Sequence, residues 1–188
     1  MPMSAEPAWP SRLEQVPMPL EEYLGLGERP KAEYVDGTAI VTPPPTRGHN
    51  RVQRRLAEVL ERSLTVGLDV AVDAGLRHDG RYRVPDVAVF ARHDPDAVWA
   101  DDIPLLVAEV LSPSTAGEDT VRKSVEYLQA GIAHYWVVDR ANRVLVAFDN
   151  AGAGWDVALR LDDAEPTGEV EVTGHGTVPL DVRALLDA

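Results

Sequence analysis

At residues 105–112 the chain reads LLVAEVLS. An apolar run of this length, followed at once by a Ser-Pro-Ser turn signal, is the pattern of a β-strand covered on both faces. A strand of that kind requires a sheet with packing layers on each side. Glu109 stands in its middle, and an ionised carboxylate there is costly unless it is paired or bound to a metal. The rest of the chain must therefore supply a partner.

The first candidate lies in RYRVPDVAVF, residues 81–90. Its Pro85 opens the apolar stretch, where a missing backbone donor is tolerated, and Asp86 follows. By period-two alternation Asp86, Ala88 and Phe90 share one face, as do Leu105, Val107, Glu109 and Leu111. If the two strands are neighbours, Asp86 and Glu109 converge. Two close carboxylates in a low-dielectric place cannot both stay ionised without a cation. A hard divalent ion such as Mg²⁺ or Mn²⁺ takes oxygen ligands and keeps positions open for water and a phosphate.

With 188 residues, 45% of them hydrophobic, the chain has room for one domain with a sizeable core. Residues 1–17 are expected to be a loosely ordered segment and 18–188 a single domain. There is no cysteine, so neither disulfides nor thiolate zinc sites hold the fold. The first residues lack the charged start and apolar centre of a signal peptide, and no run is long enough to cross a membrane. A cytoplasmic protein without membrane partners is the expectation. The formal charge of −13 argues against broad attraction to nucleic acid. It is unevenly spread, however: residues 46–55, TRGHNRVQRR, hold Arg47, Arg51, Arg54 and Arg55 and no acid. Arginine is far commoner than lysine, whose only representatives are Lys31 and Lys123.

Along the chain, a short helix is expected near residues 19–26, then a hairpin in EYVDGTAIV turning at Asp36-Gly37. Val52, Leu56, Val59, Leu60 and Leu64 recur at helical spacing and predict an amphipathic helix over 49–65. LDVAVDAGLR, RYRVPDVAVF and LLVAEVLS read as strands. A second helix over 116–130 ends at Gly131, in the place of a left-handed cap. HYWVVD, RVLVAFD and WDVALRL are further strands, and PLDVRALLD a closing short helix. The class is α/β (α+β), a mixed central β-sheet flanked by helices. On the second helix Val121, Val125 and Leu128 form an apolar stripe, while Lys123 and Tyr127 lie roughly opposite. Lys123 is placed to reach back over the carboxylates; Tyr127 reads as a packing residue.

Taken together, VPD (84–86), AEVLSPST (108–115), Lys123 with Tyr127, and AGIAHYWVVD (130–139) resemble the Uma-two family of restriction-endonuclease-like proteins. That family stands within the PD-(D/E)XK nuclease superfamily. EYVDG (33–37) and PPPTRGHNRV (43–52) extend the resemblance, which runs from about residue 20 to 148. It implies a metal-dependent endonuclease that hydrolyses phosphodiester bonds, with DNA as the expected substrate. Asp86 matches the PD aspartate and Glu109 the second acid. The third residue of the E-x-K triplet is here Leu111, and Lys123 from the following helix takes the lysine's place. The implied site has Asp86, Glu109 and the backbone carbonyl of Val110 holding one Mg²⁺ (or Mn²⁺). Glu33 would complete the shell or hold a second ion through water. Lys123 would orient the attacking water, His49 would contact phosphate or tune Glu33, and Arg47, Arg51, Arg54 and Arg55 would line the approach of the backbone. A homodimer is expected. Two rivals are a catalytically decayed member acting as a dimeric protein-binding module, and a carbohydrate hydrolase using Asp86 and Glu109 as its acid pair. The second lacks the aromatic platform a sugar site calls for.

Overall fold

The computed structural model describes residues 13–26, 31–91, 97–112 and 118–187. It opens with strand β1 (Glu14–Pro17) and helix α1 (Leu20–Leu24), followed by the hairpin of β2 (Ala32–Val35) and β3 (Thr38–Val41). Asp36 and Gly37 both have positive φ, 47° and 81°, the mirror-image turn whose twist matches that of the strands it joins. β1 pairs antiparallel with β3. Residues 14–17, expected to be loosely ordered, are thus tied down by the backbone groups that β3 presents on its outer edge; residues 1–12 lie outside the description. Helix α2 (Arg47–Ser63) starts two residues before its apolar spacing indicated, because the Thr46 side chain accepts the His49 N–H and caps it.

Next comes a ribbon that changes sheets at its centre. LDVAVDAGLR, expected as one strand, divides into β4 (Asp69–Val72) and β5 (Gly75–His78). RYRVPDVAVF likewise divides into β6 (Arg81–Arg83) and β7 (Val87–Phe90). β4 pairs with β7 in one sheet and β5 with β6 in the other. Two devices make the bend. Asp73 adopts a left-handed φ of 52°, which a short polar side chain tolerates. Pro85, opposite in the ribbon, has no N–H to lend a ladder. The Asp73 N–H closes the corner by donating to the Asp86 carbonyl at 3.2 Å.

After β8 (Trp99–Ala100), β9 (Leu106–Leu111) leads through α3 (Glu118–Gln129) to β10 (His134–Asp139), which lies parallel to β9. Gly131, at φ 82°, ends α3, and the Ile132 N–H returns to the Tyr127 carbonyl at 3.2 Å. β11 (Val144–Asn150) and β12 (Trp155–Leu161) extend the sheet antiparallel. A last hairpin, β13 (Thr167–Val172) and β14 (Gly176–Asp181), precedes α4 (Val182–Leu186).

The class is mixed α+β, as expected, with twelve strands in two six-stranded sheets, ordered β1-β3-β2-β6-β5-β8 and β12-β11-β10-β9-β7-β4, and β13 paired with β14 in a sheet of their own. β9 is buried on both faces. Leu106, Ala108 and Val110 pack with Val52, Leu56 and Leu60 of α2 and with Val170, Val172, Val178 and Leu180 of the last hairpin. On the other face Val107, Ala88 and Phe90 pack with Tyr127, Ile132 and Tyr135. Each of the valines, leucines and the phenylalanine contributes about 1.5–3 kcal/mol by leaving water. Among the described residues no helix is long and apolar enough to cross a membrane.

Candidate functional site

The antiparallel register of β7 and β9 pairs Val87 with Ala108 and Ala88 with Val107. Continued by one residue, it sets Asp86 opposite Glu109, so the two strands are the neighbours on which their convergence depended. Both acids are buried. Asp86 sits at the corner where the ribbon changes sheets. Its Oδ2 accepts the Val110 N–H at 2.8 Å, and His49 Nε2 is 3.1 Å from Oδ1. Gln53, one turn further along α2, donates to the Asp86 carbonyl at 2.7 Å. Burial opposes ionisation of Asp86, but the His49 hydrogen bond and charge, Lys31 and the Val110 N–H outweigh it, so the carboxyl stays below its ordinary range.

Glu109 is the opposite case. Burial pushes its carboxyl up to about 7; Lys123 counters this, while the charges of Asp86 and Glu33 add to it. Lys123 Nζ is 3.2 Å from Glu109 Oε1, and the Tyr127 hydroxyl donates to the same oxygen at 2.8 Å. The residue that reads from sequence as packing therefore also fixes the second acid. Lys123 Nζ is in addition 3.0 Å from Glu33 Oε1. Glu33 accepts the Val84 N–H at 2.9 Å on Oε1 and Arg83 Nη1 at 2.9 Å on Oε2. Burial alone would raise Glu33, yet Lys123, Arg83 and the Val84 N–H together hold it down to about 2. Arg83 in turn grips Glu126 of α3 with two hydrogen bonds of 2.8 Å. A chain of ions thus runs from Glu109 through Lys123, Glu33 and Arg83 to Glu126, tying α3 to both sheets.

The expected site residues are partly assembled. Asp86, Glu109, Lys123, Glu33 and His49 converge at the corner, and Val110 lends its N–H to Asp86. Glu33, expected in a metal shell, has both oxygens engaged and anchors Lys123. His49, expected to contact phosphate or tune Glu33, lies against Asp86. Arg55 is a correction: it turns from the expected nucleic-acid path to donate to the carbonyls of Ala184 at 2.9 Å, Leu185 at 3.2 Å and Asp187, at the end of α4. Unpaired carbonyls at a helix end draw a guanidinium because no intrahelical donor reaches them. Arg54 pairs with Glu58, while Arg47 and Arg51 are exposed at the end of α2 that His49 occupies. Sequence reasoning missed Lys31, whose ammonium lies 3.8 Å from Asp86 Oδ1. The scarcity of lysine was the available signal, since both lysines stand at the acid pair. Arg83 and Glu126 gave no such signal.

Among the described residues no three Asp, Glu or His side chains form a ready metal cage. The donor set is two carboxylates on adjacent strands with nearby backbone. That set fits a hard cation that retains water and substrate oxygens in its shell better than a fully caged ion.

The sequence profile of Uma2, described as a "putative restriction endonuclease" family, matches residues 20–174. The chain belongs to the Uma2 family. The crystal structure of "a putative nuclease belonging to DUF820" from Anabaena variabilis ATCC 29413 is similar to this Uma2 protein, with a TM-score of 0.73 and 20% sequence identity. The likeness covers 90% of this chain and 98% of the other and shows a shared fold. No curated protein sequence matches the chain. The family match includes the corner and both acids, and extends past residue 148 through β11, β12 and β13.

Proposed function

We propose that this Uma2 protein is a metal-dependent endonuclease of the PD-(D/E)XK kind, acting on phosphodiester bonds of nucleic acid, with DNA as substrate. One observation carries the reading: Asp86 and Glu109 are set opposite each other on adjacent strands, with Lys123 held 3.2 Å from Glu109. Asp86, Glu109 and the Val110 carbonyl would hold Mg²⁺ or Mn²⁺. When bound, such an ion neutralises charge on a phosphate and makes water more acidic.

The chain's own residues do the rest. Tyr127 fixes Oε1 of Glu109, while the Val110 N–H and His49 fix the two oxygens of Asp86, so both acids are held in place for a ligand. Lys123 holds an ammonium at the acids and donates to the attacking water or to a phosphate oxygen. Glu33 and Arg83 keep it there, and a preorganised charge of this kind requires no rearrangement as the reaction proceeds. In this way a lysine from a helix serves where the E-x-K triplet places Leu111. His49 orients Asp86. Arg47 and Arg51 lead the backbone toward the corner, a local basic patch on an acidic protein.

The test is titration of Mn²⁺ and Mg²⁺ into the protein beside Asp86→Asn and Glu109→Gln, followed by incubation of plasmid DNA and of RNA with each ion. Metal binding that both substitutions abolish, with cleavage abolished in parallel and lost in Lys123→Ala, is the expected result. Cleavage that survives either acid substitution would overturn the reading. A second reading, a silent member of the fold that binds another protein, has one observation in its favour: Val121 and Val125 of α3 face solvent. It predicts no metal binding and no cleavage at any ion concentration.

A further inference from the structure

Lys31 has no part in the implied site, yet it stands at the corner. It precedes β2, and its ammonium is held at 2.5 Å by Asp73 Oδ1, on the positive-φ residue whose N–H is tied to the Asp86 carbonyl. The corner of the ribbon thereby fixes the lysine relative to Asp86, whose Oδ1 is 3.8 Å away, within ion-pair range but beyond a hydrogen bond. An ammonium has three donors, and among the described residues Asp73 takes the one hydrogen bond Lys31 Nζ makes. The two lysines differ in access: the Lys31 side chain is 29% exposed and that of Lys123 11%. Lys123 is enclosed between Glu33 and Glu109, whereas Lys31 looks out from the acid pair toward solvent.

We infer that Lys31 is the outer phosphate contact of the site, its ammonium taking a non-bridging oxygen of the nucleic-acid backbone as the strand seats over Asp86. The inference rests on the nuclease reading. Two features of the chain favour phosphate contact over mere neutralisation of the acids. Asp73 already satisfies the charge of Lys31 from the solvent side, and a point charge with free donors suits one phosphate oxygen, where arginine suits a flat bidentate pair. At 3.8 Å from Asp86 Oδ1 the ammonium makes no hydrogen bond to that acid.

Binding of a labelled duplex oligonucleotide, in Ca²⁺ to support binding without turnover, is measured against salt for wild type, Lys31→Gln and Lys31→Arg. Lys31→Gln is expected to weaken binding about 5–10-fold at low salt and to reduce the slope of log K against log salt by about one, the loss of one phosphate contact. Lys31→Arg is expected to restore the slope. Mn²⁺ titration without oligonucleotide is expected to give wild-type or tighter affinity in Lys31→Gln, which shows that the variant is folded and its acids intact. Wild-type affinity and slope in Lys31→Gln, with oligonucleotide bound, would overturn the inference and leave the nuclease reading standing. If wild type binds no oligonucleotide at any salt, both fall together.

Discussion

Helices α2 and α3 cover opposite faces of the same strand, β9, and obey different rules. α2 buries Val52, Leu56 and Leu60 and turns Arg51 and Arg54 to solvent, as an amphipathic helix should. α3 reverses the arrangement. Val121 is 66% exposed and Val125 47%, while Lys123, at 9%, and Tyr127 are turned onto the sheet. A helix that turned its valine stripe inward would gain about 1.5–3 kcal/mol for each side chain so buried. α3 forgoes that gain and holds an ammonium in the interior, which the acids beneath it, Glu109 and Glu33, help make tolerable. The stripe on α3 is legible as apolar; which side faces the protein is set by the charges under it. A helix that turns its apolar stripe to solvent over a strand carrying a buried acid shows charge pairing displacing packing.

The contrast breaks first on α2. Leu56→Ala is expected to cost about 2–5 kcal/mol, since the methyl groups removed leave a cavity between helix and sheet. Urea denaturation monitored by the tryptophans checks this, and a loss below about 1 kcal/mol would mean that α2 does not anchor the sheet.

On the α3 side the expected effect depends on pH. In the metal-free protein Glu109 titrates near 7, above its ordinary 4.5, so the folded state holds that proton more tightly than the unfolded chain. The resulting stability is present below about pH 4.5 and is lost as pH rises toward 7. At about 1.4 kcal/mol per unit, the shift corresponds to about 3 kcal/mol. The stability difference between wild type and Glu109→Gln should therefore move in favour of the variant by about that amount between pH 4 and pH 8. A difference that stays flat with pH would show that Glu109 is ionised throughout. Glu33, held down to about 2 by Lys123 and Arg83 against burial, has the opposite sign. Its contribution is present above about pH 4.5 and is lost as pH falls toward 2. One lysine thus serves two carboxylates whose linkages oppose each other.

The smallest effect is reserved for the outward stripe. Val121→Ser and Val125→Ser should each change stability by less than about 0.5 kcal/mol, as exposed substitutions do. A cost of 1 kcal/mol or more in thermal denaturation would mean that the stripe is covered in solution, as the protein-binding reading requires.

What is local was legible in the residues. Asp36-Gly37 set a hairpin because only residues tolerant of positive φ make that turn. The spacing of Val52, Leu56 and Leu60 set α2, and Gly131 set the end of α3. Period-two alternation put Asp86 on one face of its strand and Glu109 on one face of its own, whereas the pairing of β7 with β9, in a register that sets the two acids opposite each other, belongs to the packed sheet. Which partners the charges take follows from packing across the whole chain. Glu33 is bound by Arg83, 50 residues away; Lys31 joins Asp73, 42 residues away; and Arg55 reaches the last helix. Packing likewise decided that one hairpin feeds two sheets, which reads as two plain strands because each arm keeps its alternation up to the bend. The physical reason is range. Backbone periodicity and turn chemistry act over a few neighbouring residues, whereas an ion pair depends on distances across elements that exist only once the elements have packed.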